Sequence, residues 1–311
     1  MAAVALVFLL IPLLAALSLL IYIGLLLMFY HRRRLEPFNS RFFTICISLG
    51  IADILSLTSN YLLTKMPFRG LFPAKLLSKY GSQIVYRAVA LVPWFFGNSQ
   101  HFGGIILALN RYTAIVKPLQ HDLLWNKRNT VLALTGQWVT PILFVLPYTG
   151  MTYQLKNTSF GQNGVTVRPA EPTQYLIIQS MMTTIFTVST VVIGCLYALA
   201  FRHVSKEKAE GVVAAGSQHK EFLSSAFVFH VRVDSKPRLQ TGRVLATVFL
   251  VMLVYVLFMW VFVVAFALDK VNIVPLFYPI LSDLYCWINP WILLCHAKIR
   301  AGFLKFVLCA K

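Results

Sequence analysis

Long apolar stretches separated by short basic segments run along almost the whole chain. A helix needs about 20 mostly apolar residues to cross the hydrocarbon layer of a membrane, and seven stretches have that character. The stretches are continuous instead of alternating between apolar and polar positions, which favours helices over the strands of a membrane barrel. The pattern therefore predicts transmembrane helices over residues 2–30, 42–64, 85–110, 131–148, 174–201, 243–268 and 272–295.

The pattern changes after His296, where apolar positions recur at helical spacing and the cations occupy other positions. A helix of this kind lies along a membrane surface, so we predict a short amphipathic helix over residues 297–309 on the inner membrane face. Cys309 lies at its end and is a candidate for palmitoylation, with an unmodified thiol as the alternative. The predicted apolar face consists of Ile299, Phe303, Phe306 and Val307.

The composition agrees with a chain whose solvent is the lipid bilayer. Hydrophobic residues make up 58% of the sequence and charged residues 12%, whereas soluble domains carry about 25% charged residues. The net charge of +18 is spread between apolar stretches instead of being gathered in one basic domain, which argues against a nucleic-acid partner. We therefore expect an all-α protein in which residues 1–311 form a single domain, a bundle of seven transmembrane helices.

The basic residues indicate how the bundle is oriented. Inner connections of membrane proteins are enriched in Lys and Arg, and this rule places the N-terminus outside. Asn157, which begins an Asn-Thr-Ser sequon, is then outside and is a candidate for glycosylation. The first outer loop departs from this rule, because it is rich in basic residues. These cations either attract anionic ligands or contact lipid head groups and water. These cations are Lys65, Arg69, Lys75, Lys79 and Arg87.

Three short motifs lie on the predicted helices in a fixed order. Asp53 lies half-way along the second helix, Asn110-Arg111-Tyr112 closes the third, and Asn289-Pro290 lies in the seventh. Together with Trp138 in the fourth helix, these motifs resemble those of the rhodopsin-like G-protein-coupled receptors. The resemblance covers nearly the whole chain. It implies that the motifs of the third and seventh helices form the switch that couples the bundle to a G protein.

The residues around Arg111 narrow the resemblance. The stretch LNRYTAIVKPLQHDLLW, residues 109–125, resembles nematode serpentine chemoreceptors of the class gamma superfamily, class V in particular. This implies a chemosensory receptor in the plasma or ciliary membrane of a sensory neuron, with an odorant or pheromone as ligand and a heterotrimeric G protein as partner. It also implies that Arg111 is released towards the G protein when the sixth helix swings out, and that Asp53 lies in a cavity that binds sodium.

Several positions depart from the receptor pattern. Asn110 replaces the usual acidic neighbour of Arg111, so we expect a weaker resting restraint and more basal signalling. Leu293 stands where the family has the tyrosine of Asn-Pro-x-x-Tyr, and Trp260 is not followed by proline. The cysteine pair that usually joins the top of the third helix to the second outer loop is absent from both segments.

Polar groups inside the bundle are the candidates for ligand binding, because a charge at mid-membrane costs about 3 kcal/mol. Asp283 lies at ligand depth, where it pairs with an amine ligand or with an internal partner. Asp53 has either a conformational role or the role of a neutral acid hydrogen-bonded between helices. The other ligand candidates are Trp260, Asn98 and His101, the last being either a proton sensor or a bonded core group. Asn98 and His101 begin and end a run of four polar residues, of which we expect only some to face the interior.

The sequence contains no arrangement typical of an enzyme or a metal site. It has no Ser-His-Asp set placed to cooperate, no glycine loop for phosphate and no metal-ligand spacing. A small multi-pass transporter or channel is one alternative, although no internal repeat supports it. A receptor-like protein without G-protein coupling is another, which the departures at Asn110 and Leu293 leave open.

Overall fold

A computed structural model describes the first five long helices of the chain and its C-terminal helix. Most of the predicted sixth and seventh helices, including Asp283 and Asn289, lie outside the described residues, as does Cys309. The described residues are 2–35, 38–72, 74–158, 163–213, 257, 260, 290, 291, 293, 294 and 297–308.

The described part of the chain is predominantly helical. The helices are α1 Ala2–His31, α2 Arg41–Asn60, α3 Met66–Phe68, α4 Ala74–Tyr80, α5 Gln83–Val116, α6 Pro118–Leu124, α7 Lys127–Val145, α8 Pro172–Val213 and α9 Ala297–Val307. A π-helical turn, Tyr61–Lys65, joins α2 to α3, and a 3-10 turn, Leu146–Gly150, follows α7. The strands β1 Tyr153–Asn157 and β2 Val165–Pro169 form an antiparallel hairpin before α8, with Tyr153 opposite Pro169.

Four described helical segments are long and apolar enough to cross a membrane, and they correspond to the predicted first, second, fourth and fifth helices. The predicted third helix is α5, whose 34 residues span about 51 Å. It is long enough to cross, but a polar run makes it less apolar than the others. The four apolar segments are Pro12–His31, Arg41–Phe68, Lys127–Gly150 and Pro172–His203.

Helix α5 lies at the centre of the described bundle, where it packs against α2, α7 and α8. Because neighbours surround it, the polar residues from Asn98 to His101 are all buried. The expectation that only some of these four would face the interior was therefore wrong. It assumed that one side of the helix faces lipid at this depth.

Local capping explains why several helices extend beyond the predicted limits. Ser82 and Asn126 each accept a hydrogen bond from the backbone N–H three residues later, at 3.4 and 2.9 Å, and so begin α5 and α7 early. Helix α5 continues to the residue before Lys117, because Pro118 disfavours a helical conformation for its predecessor. Helix α8 continues to Val213, since the residues beyond the predicted end include good helix formers such as Glu, Lys and Ala.

Helix α9 packs against the inner end of α1. Gly24 leaves room for this contact, because a β-carbon there would lie 3.0 Å from Cε2 of Phe303. Ile299 is buried in the same cluster, and Phe306 packs on its edge. The predicted amphipathic face is therefore divided: three of its residues contact the protein, whereas Val307 is exposed.

Candidate functional site

The Asn-Arg-Tyr motif lies near the end of α5 that is predicted to be cytoplasmic. The guanidinium carbon of Arg111 lies 3.3 Å from the ring centroid of Phe42 on α2. Asn110 is 1% exposed, and its amide nitrogen has no hydrogen-bond partner among the described residues, while Tyr112 is only partly buried. Within that same part of the chain Arg111 forms no salt bridge. The face of an aromatic ring therefore stands where an acidic side chain would be expected.

The short helix α6 is attached to α5 through the hydroxyl of Thr113. The indole N–H of Trp125 donates to this oxygen at 2.8 Å, and Nδ1 of His121 lies 3.1 Å from it. The hydroxyl itself donates to a backbone carbonyl of α5. Thr130, at the start of α7, donates to the carbonyl oxygen of Trp125 at 3.3 Å. Trp125 is thus buried at the junction of three helices and fixes the inner loop.

Helix α6 exposes large apolar side chains beside this junction, and two of them are mostly exposed. Leu119 is 80% exposed and Leu123 is 73% exposed. Burial lowers the pKa of His121 and Asp122 acts in the opposite direction, so the attached helix favours the neutral imidazole. Exposed apolar side chains rimmed by polar ones often mark surfaces for partner molecules, so α6 is a candidate for such a surface.

The carboxylate of Asp53 accepts a hydrogen bond from the hydroxyl of Tyr22 on α1. Both residues are buried, as is Ser56 one turn further along α2. The acid is thus hydrogen-bonded between helices, which was one of the two roles considered for it. Sequence reasoning missed Tyr22, although a signal existed: Ser18 and Tyr22, four residues apart, are the polar side chains in the apolar part of α1 that precedes Tyr30.

A second polar contact joins α2, α5 and α7 in the bundle. The indole N–H of Trp138 donates to Oγ of Ser48 at 3.1 Å, and Ser48 donates to Oε1 of Gln137 at 2.8 Å. Gly103 on α5 permits this close approach, because a β-carbon there would lie 2.7 Å from Nε2 of Gln137. Trp138, which the motif comparison singled out, therefore serves to hold three helices together.

Three of the predicted ligand-binding residues contact α8. The amide nitrogen of Asn98 donates to a methionine sulfur of α8 at 3.3 Å, and its buried carbonyl oxygen has no partner within the described part of the chain. The rings of His101 and Phe186 are 4.0 Å apart between centroids. The indole N–H of Trp260 donates to the hydroxyl of Thr187 at 2.8 Å. Polar groups and aromatic rings thus line the contact between α5 and α8.

The β1–β2 hairpin packs on the outer end of α5, and hydrogen bonds hold it there. Gln83 donates from Nε2 to the carbonyl oxygen of Tyr153 at 2.8 Å and accepts from its N–H at 3.0 Å. Arg87 donates from Nε to the carbonyl oxygen of Met151 at 3.2 Å. Thr158 donates to a backbone carbonyl of α3 at 2.9 Å. A side-chain amide therefore makes the link that a disulfide makes in the receptor pattern.

One cation assigned to the outer loop belongs to a helix instead. Lys65 ends the π-helical turn that extends α2, is 4% exposed, and has its ammonium 4.6 Å from the ring centroid of Tyr61. The predicted loop boundary was wrong because the helical turns continue to Phe68, past the first charge. The aromatic face stabilises the buried ammonium. Sequence reasoning grouped Lys65 with the loop cations and so missed it as a candidate inside the bundle.

The remaining predicted positions fall at the edges of the described region. Asn157 is exposed at the end of β1, so its glycosylation stays a prediction. Pro290 is helical and buried, and Leu293 packs against the α1–α9 cluster. Asp283 and Asn289 lie outside the described residues.

Long apolar helices around a polar α5, with a receptor-like motif at its inner end, define a helical membrane receptor. Comparison with known proteins identifies its family. Residues 11–308 match the family described as serpentine type 7TM GPCR chemoreceptor Srv, and the chain belongs to this family.

Two named relatives extend this comparison. Serpentine receptor class V-1 of Caenorhabditis elegans is 34% identical over 122 residues, which is 39% of this chain and 38% of that protein. The cholecystokinin receptor of Xenopus laevis is 22% identical over 193 residues, which is 61% of this chain and 40% of that protein. In both cases the match spans well under half the length of the relative.

The family confirms the expectations of a seven-transmembrane fold, of a class V serpentine receptor and of a multi-pass membrane protein. It is a class of receptors and not of enzymes, as the sequence indicated. Membership of a chemoreceptor family also favours the receptor interpretation over the transporter or channel alternative.

Proposed function

We propose that this receptor binds a small ligand, such as an odorant or pheromone, among the outer halves of its helices and activates a heterotrimeric G protein at its inner face. The observation that carries the proposal is the arrangement at the inner end of α5, where Arg111 and the exposed helix α6 lie together, joined through Thr113. We propose the plasma or ciliary membrane of a sensory neuron as the location, in keeping with the chemoreceptor family.

The inner surface supports contact with a partner protein. Burying the side chains of Leu119 and Leu123 against a partner would contribute about 1.5–3 kcal/mol each. Exposed cations flank these leucines in the sequence, namely Lys117, Lys127 and Arg128. An apolar centre with a basic rim is complementary to an apolar surface with an acidic rim. We propose that the G protein presents that surface.

The contact between α5 and α8 supports binding of a small ligand. A buried acceptor without a donor costs about 1–3 kcal/mol, so the carbonyl oxygen of Asn98 favours a ligand that donates a hydrogen bond. His101 and Phe186 supply aromatic surface beside it, and Trp260 donates a hydrogen bond to Thr187 on the neighbouring part of α8. Asp283 remains our candidate for pairing with a cationic group of the ligand.

Helix α5 connects the two proposed sites. Asn98 and Arg111 are thirteen residues apart on one continuous helix, which is about 20 Å. A ligand shifts the equilibrium between the resting and active arrangements of the helices only by the difference in its affinity for the two arrangements. We propose that the agonist prefers the arrangement in which Arg111 is free to contact the G protein. Asn110, Tyr112, Asn289 and Pro290 would change their packing in the same transition.

We also propose that Asp53 and Ser56 contribute oxygen ligands to a sodium ion that favours the resting arrangement. Both are buried on one face of α2, and hard cations prefer oxygen ligands. Sodium should then lower signalling in the wild-type receptor. Asp53→Asn should abolish that sodium dependence, whereas an unchanged dependence would exclude Asp53 from the site.

The direct experiment is to express the receptor with a G-protein reporter and screen volatile and water-soluble odorants. Arg111→Gln should abolish the response at unchanged surface level. The matched control is Arg34→Gln, which removes an exposed cation from the first connection on the predicted inner side and should leave the response intact. Equal responses from both variants, or solute flux in place of signalling, would contradict the proposal.

A further inference from the structure

We propose that Phe42 is the resting-state partner of Arg111, and that its ring holds the guanidinium in place of the acidic neighbour that this receptor lacks. The proposal names a residue of α2 as the restraint on the switch of α5. Its signalling consequence rests on the proposed G-protein function, whereas the contact itself does not.

The geometry of the pair is that of a cation–π interaction. The guanidinium carbon lies 3.3 Å from the centroid of the Phe42 ring, directly over its face. The face of an aromatic ring carries partial negative charge, and a planar guanidinium stacks well on it. Phe42 is only partly buried, but the pair lies at the contact of α2 and α5, where water screens the attraction less than at an open surface.

The surroundings of Arg111 leave this restraint without an acidic competitor among the described residues. Asn110 is neutral and buried, and Arg111 forms no salt bridge in that part of the chain. The titratable groups that interact with it electrostatically there are the thiol of Cys46, the phenol of Tyr197 and the imidazole of His121. The ring of Phe42 is therefore the group placed to hold the cation.

A cluster of aromatic rings fixes the position of Phe42. Its ring centroid lies 5.1 Å from that of Phe43, and the two rings are nearly perpendicular at 75°. Phe43 in turn contacts Phe29 of α1 and Phe38 of the connecting segment, at 5.1 and 5.0 Å. The ring face is thus preorganised by α1 and α2, and Arg111 must leave it before it can contact a G protein.

Stepwise fluorination of Phe42 tests the proposal, because fluorine withdraws charge from the ring face and changes its shape little. The receptor is expressed with mono-, di- and trifluorophenylalanine at position 42, and basal nucleotide exchange on a heterotrimeric G protein is measured in membranes. Basal exchange should rise with each fluorine, to about fivefold for the trifluoro ring. Phe42→Leu removes the ring face and should give a similar rise in basal exchange. Phe42→Trp keeps an aromatic face and should leave basal exchange as low as in the wild type.

The matched control is the same fluorination at Phe43, whose described ring contacts are with the aromatic rings of Phe29, Phe38 and Phe42. This control should leave basal exchange unchanged. If the wild type shows basal exchange and fluorination of Phe42 does not raise it, or if the two positions respond alike, the proposal is overturned.

A second readout needs no G protein. The 19F NMR resonance of monofluorinated Phe42, recorded for the receptor in lipid nanodiscs, should move when Arg111 is changed to Gln. An unmoved resonance would overturn the contact. A moved resonance in a receptor that never promotes nucleotide exchange would support the contact and count against the proposed function, so the two failures are distinguishable.

Discussion

Replacing Trp125 by phenylalanine should loosen helix α6 from the inner end of α5. The substitution keeps an aromatic ring in the junction but removes the indole N–H. That group donates to Oγ of Thr113 at 2.8 Å, and both residues are buried. The hydroxyl keeps its own donation to a backbone carbonyl of α5, so the change isolates one hydrogen bond.

The magnitude follows from the value of a single buried hydrogen bond. Such a bond contributes about 1 kcal/mol net, which corresponds to about a fivefold change in the ratio of attached to detached α6. The ring nitrogen of His121 lies 3.1 Å from the same oxygen and supplies a partial replacement. The effect of Trp125→Phe should therefore be close to fivefold and not much larger.

Hydrogen exchange read by mass spectrometry in nanodiscs measures this ratio. The amides of α6 should exchange about fivefold faster in Trp125→Phe than in the wild type. Thr113→Val removes this bond together with the His121 contact, so it should give at least the same increase, and the double variant should add little to Thr113→Val. Trp138→Phe is the matched control, since it removes an indole donor to Ser48 elsewhere and should leave α6 unchanged. Unaltered exchange in Trp125→Phe, or additive effects, would refute the reasoning.

Three further predictions concern other polar contacts. Tyr22→Phe removes the donor to buried Asp53 and should lower receptor stability by about 1–3 kcal/mol; an unchanged thermal midpoint in detergent would contradict this. Gln83→Ala should speed hydrogen exchange at the Tyr153 amide about fivefold or more, because it removes both hydrogen bonds to the Tyr153 backbone. A reducing agent should not affect the wild-type hairpin. Equal exchange rates in the variant and the wild type would show that Gln83 does not hold the hairpin. Lowering the pH from about 7.5 to about 5.5 should loosen α6, because burial lowers the pKa of His121. The neutral imidazole stabilises the attached α6 above pH 6.5, the ordinary pKa of histidine, and this stabilisation is lost as the pH falls below that value. The pH effect should be absent in His121→Gln, and its persistence in that variant would exclude His121 as the cause.

The hydrophobic pattern was sufficient to predict the main helices, because lipid requires each span to be long, apolar and internally hydrogen-bonded. The predicted limits fell short where capping decides them, as at Ser82 and Asn126. The boundary before Lys65 was wrong because a charge was taken to end the helix, whereas an aromatic neighbour lets the ammonium stay inside. The β1–β2 hairpin was not predicted, since it is short and held by a side chain distant in sequence.

The motifs located the inner switch, but they did not identify what each residue contacts. Arg111 was expected to be released when the sixth helix swings out, and only the fold shows that its described ring contact is with Phe42 on α2. Trp125 ends the stretch that carries the family resemblance, and only the fold shows that it is hydrogen-bonded to Thr113. Tyr22 was missed because its role depends on how α1 rotates towards α2. These contacts are long-range, so periodicity and spacing carry little information about them.

The most direct test of the account is whether the surface beside Arg111 touches a G protein. A photoreactive amino acid replaces Leu119, which is 80% exposed on α6, in cells that express a heterotrimeric G protein. Illumination should crosslink this position to the G-protein α subunit, and a non-hydrolysable GTP analogue should abolish the crosslink. The same group at Ile84, exposed at the outer end of α5, is the control and should give none. Crosslinks from Ile84, or their absence from Leu119 at normal surface expression, would contradict the account.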